Sequence, residues 1–207
     1  MHAAAAARAL AHAALAGFAL LLFAASATAA RPLTTDDARI VDPKSCQVES
    51  WIKANKDSTE YWALPACNPF GWFEINYGGA RTRENGAGST FTDNVMGFKT
   101  IVKPLEPNGW GWGVSVGTDR HLHRESGNGW PGDEVVNVPV SVSFRDDEIV
   151  MHVNAGAVRR RDLDRSIVTW GIGTEVRLRD DTYFIGESFA NDRGRPFYQL
   201  GARYTLV

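Results

Sequence analysis

The chain has 207 residues, with 22 Lys and Arg against 24 Asp and Glu, so its formal net charge is −2. That balance supplies no basic field, which excludes nucleic acid as a partner class. Charged residues at 22% and aromatics at 11% exclude wholesale disorder. Past the N-terminus no apolar run reaches the roughly 18 residues of a spanning helix, which excludes a helical membrane bundle.

Residues 1–30 read as a secretory signal peptide. Arg8 gives the positive start, Leu15 to Ala25 the apolar stretch, and Ala27-Thr28-Ala29 the small residues that a signal peptidase recognises. Cleavage before Ala30 or Arg31 leaves a mature chain of about 177 residues, outside the cytoplasm. Residues 31–44 form an N-terminal segment, expected to be periplasmic, and 45–207 form one domain.

Cys46 and Cys67 are the only cysteines, and an exported chain favours their pairing. They bound two strand-like runs separated by Asn55-Lys56-Asp57-Ser58, which is turn chemistry. With Lys56 and Asp57 as the loop, Asn55 faces Ser58 and Cys46 falls opposite Cys67. A structural disulfide follows, and redox catalysis does not, because there is no Cys-x-x-Cys.

From residue 45 onward the dominant period is two. Val136, Val138, Val140, Val142 and Phe144 alternate with small or polar residues. Val168, Trp170, Ile172 and Val176 alternate with glycines, Glu175 and Arg177, and Tyr198, Leu200, Ala202 and Tyr204 with Gln199, Gly201 and Arg203. Parity blurs between Phe91 and Lys103, where a bulge is expected. Ten strands result, at 45–54, 59–67, 71–82, 90–104, 110–119, 133–145, 148–159, 165–179, 181–190 and 195–206.

Many of these runs approach the roughly 9–11 residues that a tilted strand needs to cross a bilayer. Connections alternate between short and longer polar ones, as in outer-membrane barrels, although the first hairpin turn is tight. The predicted fold is therefore all-β: a single antiparallel, up-and-down transmembrane β-barrel of about ten strands. Its apolar parity would face lipid, with Trp110, Trp112, Trp170, Tyr198 and Tyr204 in interfacial girdles. A soluble barrel, with the apolar face inward around an apolar ligand, is the alternative.

On the inward parity, Glu74, Lys99, Lys103, His152, Glu175, Arg177, Glu187 and Arg203 are the candidate lumen residues. Burial would oblige them to form an ion-pair network with trapped water. Ten strands leave at most a constricted path, since eight already fill with side chains.

In the loop after residue 119, His121, His123 and Glu125 share a parity that suits metal ligation, and a histidine beside Ser126 suits hydrolysis. A solvated external loop is the expected reading, so no metal, cofactor or enzymatic activity is assigned. The cluster Arg159-Arg160-Arg161 with Arg165 could meet lipopolysaccharide phosphate.

The pattern Gln199-x-Gly201-x-x-Tyr204-x-Leu206 resembles the C-terminal signal read by the barrel-assembly machinery of bacterial outer membranes, with Leu206 in place of its final aromatic. Arg31-Pro32-Leu33-Thr34-Thr35-Asp36-Asp37-Ala38, with Arg195 to Tyr204, is similar to the ends of the phenol-degradation meta-pathway outer-membrane family. The resemblance implies an outer-membrane barrel, and the expectation is a monomer in contact with lipid and lipopolysaccharide. It implies uptake of small molecules, aromatic compounds among them, through a narrow channel, or else a purely structural barrel. An outer-membrane hydrolase using His121 or His123 with Ser126 is the enzymatic alternative.

Overall fold

The structure, a computed structural model, describes residues 33–86, 88–122 and 132–204. The signal segment, Arg31 and Pro32, the loop residues His123, Glu125 and Ser126, and the terminal Leu206 and Val207 lie outside the described residues.

Ten strands follow one another: β1 (Ser45–Ala54), β2 (Ser58–Asn68), β3 (Phe73–Glu84), β4 (Ser89–Lys103), β5 (Trp110–His121), β6 (Asp133–Phe144), β7 (Ile149–Arg160), β8 (Arg165–Arg179), β9 (Thr182–Asn191) and β10 (Phe197–Tyr204). Each pairs antiparallel with the next, giving one up-and-down sheet in chain order. The alternation in the sequence therefore places every strand to within a few residues at its ends. The sheet curls into a half-barrel, and among the described residues it has no ladder joining β1 to β10. The bulge expected between Phe91 and Lys103 is present, and β4 has two register shifts there, one where Ala80 and Arg81 meet Asp93 and Phe91 and one between Ile101 and Lys103.

The first hairpin has the register read from its turn. Ala54 faces Thr59, the Asn55 N–H donates to the Ser58 carbonyl at 2.8 Å, and Cys46 stands opposite Cys67. The two cysteines are disulfide-bonded. At the opposite end of the sheet, Arg145, Asp146 and Asp147 all adopt left-handed backbone, with φ of 53°, 53° and 63°. Asp tolerates that conformation better than most side chains, which suits it to so tight a reversal.

The two faces of the sheet differ in chemistry. On the convex face Met151, Val153, Val168, Trp170 and Ile172 are exposed, and so are Trp110, Phe184, Leu200 and Tyr204. On the concave face Glu74, Lys99, Ser141, His152, Asn154, Glu175 and Glu187 are buried. This is the reverse of a water-soluble sandwich, where apolar residues fill the interior. Among the described residues no helix is long and apolar enough to cross a membrane, a test that does not bear on strands.

Candidate functional site: a lumen filled by the N-terminal segment

The concave face is occupied by the chain's own residues 33–41. The segment carries no regular secondary structure, so its backbone groups need partners from elsewhere. Side chains of the strands supply them. Glu187 on β9 accepts the Thr34 N–H at 2.7 Å on one carboxylate oxygen and the Thr35 N–H at 2.8 Å on the other. Asn154 on β7 accepts the Asp36 N–H at 2.7 Å and donates to the Asp36 carbonyl at 2.7 Å, reproducing a rung of a ladder with one amide. Ser141 on β6 accepts the Ala38 N–H at 2.8 Å, and Glu74 on β3 accepts the Val41 N–H at 2.9 Å. Asn68 closes the series by donating to the Val41 carbonyl at 2.6 Å.

Charge adds to these bonds. The Lys99 ammonium on β4 lies 2.8 Å from an Asp36 oxygen and 3.0 Å from an Asp37 oxygen, with its side chain 8% exposed. Burial pushes the Asp37 carboxyl up, but Lys99, His152 and Arg39 together outweigh it and hold the group below its ordinary range. The segment also has an apolar component: Leu33, Ala38 and Val41 are buried.

Small residues make room for it. A Cβ at Gly171 would stand 2.7 Å from Thr35 Oγ1, and one at Gly173 would stand 3.3 Å from Thr35 Cβ. Glycine at these two β8 positions is what lets the segment lie against the sheet.

Of the eight lumen candidates, Glu74, Lys99 and Glu187 bond directly to this segment. His152 is joined to it through Ser141, whose hydroxyl is 2.8 Å from His152 Nδ1. Glu175 and Arg203 form a separate pair, two-pronged at 3.1 and 3.0 Å, and Arg203 also sits 4.3 Å above the Tyr183 ring. Lys103 lies at the short-turn rim, bonded to the Trp110 carbonyl and 4.2 Å from the centre of its ring. Arg177 is at the same rim and donates to the Asp146 carbonyl at 2.9 Å.

The expected network of strand-borne charges paired across the lumen is thus only partly what forms. Glu175 and Arg203 fit it, whereas Glu74 and Glu187 spend carboxylate oxygens on backbone N–H groups. Sequence reasoning missed the partners Asp36, Asp37 and Ser141.

The segment runs from the short-turn rim, beside Asn68 and Glu74, to mid-strand at Glu187. Beyond it, toward the longer loops, the concave face holds a cavity of about 250 Å³. Val135, Val158 and Ile167 form its apolar wall, and Asp119, His121 and Arg160 part of its polar one. Among the described residues the concave face is therefore divided: its short-turn half carries residues 33–41, and its loop half borders this cavity.

Comparison with known proteins gives one finding. No curated protein matches the chain, and no solved structure does. A family model described as uncharacterised conserved protein UCP029691 matches residues 18–207. That match spans nearly the whole chain, which belongs to this family of conserved proteins.

Proposed function

We propose that the chain is a bacterial outer-membrane β-barrel whose lumen is stoppered by its own N-terminal segment, and that it serves as a narrow, gated uptake path for small molecules. The observation that carries this reading is the reversal of faces, an apolar convex surface around a polar, buried concave one. An exposed apolar belt of that extent is stable where lipid covers it and a liability where water does.

Lipid also dictates what happens at the edges. An open strand edge leaves N–H and C=O groups unpaired, which a bilayer core does not tolerate. On this reading β1 and β10 close on one another in the membrane. They run in opposite directions, as ten up-and-down strands require, so closure adds one more antiparallel ladder. Aromatic solutes are the class implied by the resemblance at the two ends of the chain. The cavity toward the loops, with apolar walls and a charged rim, is where such a molecule would first be held.

Fractionation tests the proposal. The protein is expected in the outer-membrane fraction, resistant to alkaline extraction, with gel mobility that changes on boiling. Recovery as a soluble periplasmic protein would overturn it.

A further inference from the structure

The strands grip residues 33–41 chiefly by the main chain. Glu187, Asn154, Ser141, Glu74 and Asn68 bond to its N–H and C=O groups, which any extended peptide carries. Lys99 reads side chains instead, the adjacent carboxylates of Asp36 and Asp37. All of these strand side chains are buried, so packing fixes where they stand.

We propose that the concave face is a binding site for an extended peptide bearing two adjacent carboxylates, and that residues 33–41 are its built-in competitor. Three observations converge on this. The first is the mode of contact, which asks for an extended backbone and a pair of acidic groups and little else.

The second is an incomplete fit. His152 Nε2 and Thr35 Oγ1 are buried and have no hydrogen-bond partner among the described residues. A buried polar atom without a partner is a cost to the docked state. His152 is 1% exposed and belongs to the groove itself, its Nδ1 lying 2.8 Å from the Ser141 hydroxyl. A peptide with a hydrogen-bonding side chain in reach of Nε2 removes that cost, which the chain's own segment does not.

The third is how the segment is attached. It enters β1 through a turn in which the Ser45 N–H donates to the Asp42 carbonyl at 3.1 Å and Lys44 has a left-handed φ of 62°. Ladder pairing on β1 starts only at Ser45. Residues 33–41 can therefore leave, and be replaced, without breaking a rung of the sheet.

The charged groups at the loop end of the same face are spent on one another. His121 Nδ1 lies 2.6 Å from Asp93, its partner across the β4–β5 ladder. The Asp133 oxygens are held by the Arg161 N–H at 2.9 Å and the Arg160 guanidinium at 2.7 Å. The histidine considered from sequence for metal ligation or hydrolysis is thus a member of an ion-pair network. The peptide site goes beyond the uptake proposal and stands without it, because its contacts are set by the strand register.

Fluorescence anisotropy with a dye-labelled synthetic peptide, Leu33 to Val41 in sequence, tests the site. The host is the tag-free full chain in detergent micelles carrying Asp36→Asn and Asp37→Asn, which weakens the tethered segment and alters no strand. One saturable equivalent is expected. The same peptide with both aspartates changed to asparagine should bind a hundredfold or more weakly. Adding Lys99→Met to the host should bring the two peptides to within about threefold of each other. A tethered competitor acts at roughly millimolar effective concentration, so the parent chain should bind the acidic peptide at least tenfold more weakly than the host. Protection of the β6 and β7 amides from exchange checks that the ladder is intact in each variant. With the ladder intact, absence of saturable binding, equal affinity for the two peptides, or a difference that survives Lys99→Met would each overturn the proposal.

Discussion

The Lys99 ammonium sits 2.8 Å from the Asp36 carboxylate, tying the fourth strand to a segment 63 residues earlier in the chain. Both side chains are largely buried, at 8% and 13% exposure. Removing one member of such a pair strands the other in a low dielectric and costs about 3–5 kcal/mol. Lys99→Met should therefore release residues 33–41 from the concave face while leaving the ten-strand ladder intact. Amide exchange would show it as a loss of protection at Thr34 to Val41 on the order of a hundredfold, taking the lower end of that cost. In a bilayer, conductance should rise in the variant. Parent-like exchange across the segment would mean that the ion pair does not hold it.

The neighbouring contact of Lys99 with Asp37, at 3.0 Å, makes docking depend on pH. The Asp37 carboxyl is held below its ordinary value of 3.8. A carboxyl whose folded value is depressed contributes stability above its unfolded value and loses that contribution as pH falls through the folded one. Protection factors at residues 34–41 should stay level from about pH 8 to 5 and decline below about pH 4. Loss of docking between pH 7 and 5 instead would assign control to another group.

How much of this was legible in the sequence depends on the period of the signal. Strands with one apolar and one polar face write themselves at period two, so all ten could be placed from residues such as Val136 to Phe144. The pairing of Cys46 with Cys67 was legible too, since the turn at Asn55 to Ser58 sets the register. The segment at 33–41 was not, because an irregular stretch bound by side chains has no period. Its partners Glu187, Asn154 and Ser141 belong to three different strands. The meeting of Asp93 with His121 was hidden for a related reason, because it depends on the register across the β4 bulge.

Space at β8 is a second condition for docking. Gly171 and Gly173 lie under Thr35, with a Cβ at Gly171 only 2.7 Å from Thr35 Oγ1. Threonine can rotate away from an alanine, but the branched methyls of valine extend further. Gly171→Val should cost about 1–3 kcal/mol of docking by overpacking, seen as roughly 5- to 100-fold faster exchange at Thr34 and Thr35. Gly201, also on the concave face, has nothing within 4 Å of an added Cβ. Gly201→Val is the control and should leave the segment protected. If both variants behave alike, close approach at Gly171 is not what admits the segment.

The convex face supplies the sharpest test of the membrane proposal, because lipid and water give opposite answers to one substitution. Ile172 lies at the middle of β8, is 45% exposed, and faces Val153 in the register. In water, arginine at such a position is expected to change stability by no more than about 0.5 kcal/mol and to improve solubility. Near the middle of a bilayer, arginine on the lipid face of a barrel costs about 2–4 kcal/mol. Ile172→Arg should thus lower the folding equilibrium into phospholipid vesicles by roughly 30- to 1000-fold, measured by urea titration of tryptophan fluorescence, while Glu134→Arg near a strand end changes it little. The sign follows from which side of the sheet the apolar parity faces, and the exposure of Met151, Val153 and Ile172 puts it outward. Equal stability of Ile172→Arg and the parent chain in vesicles would show that lipid does not cover this face, and the outer-membrane reading would fall with it.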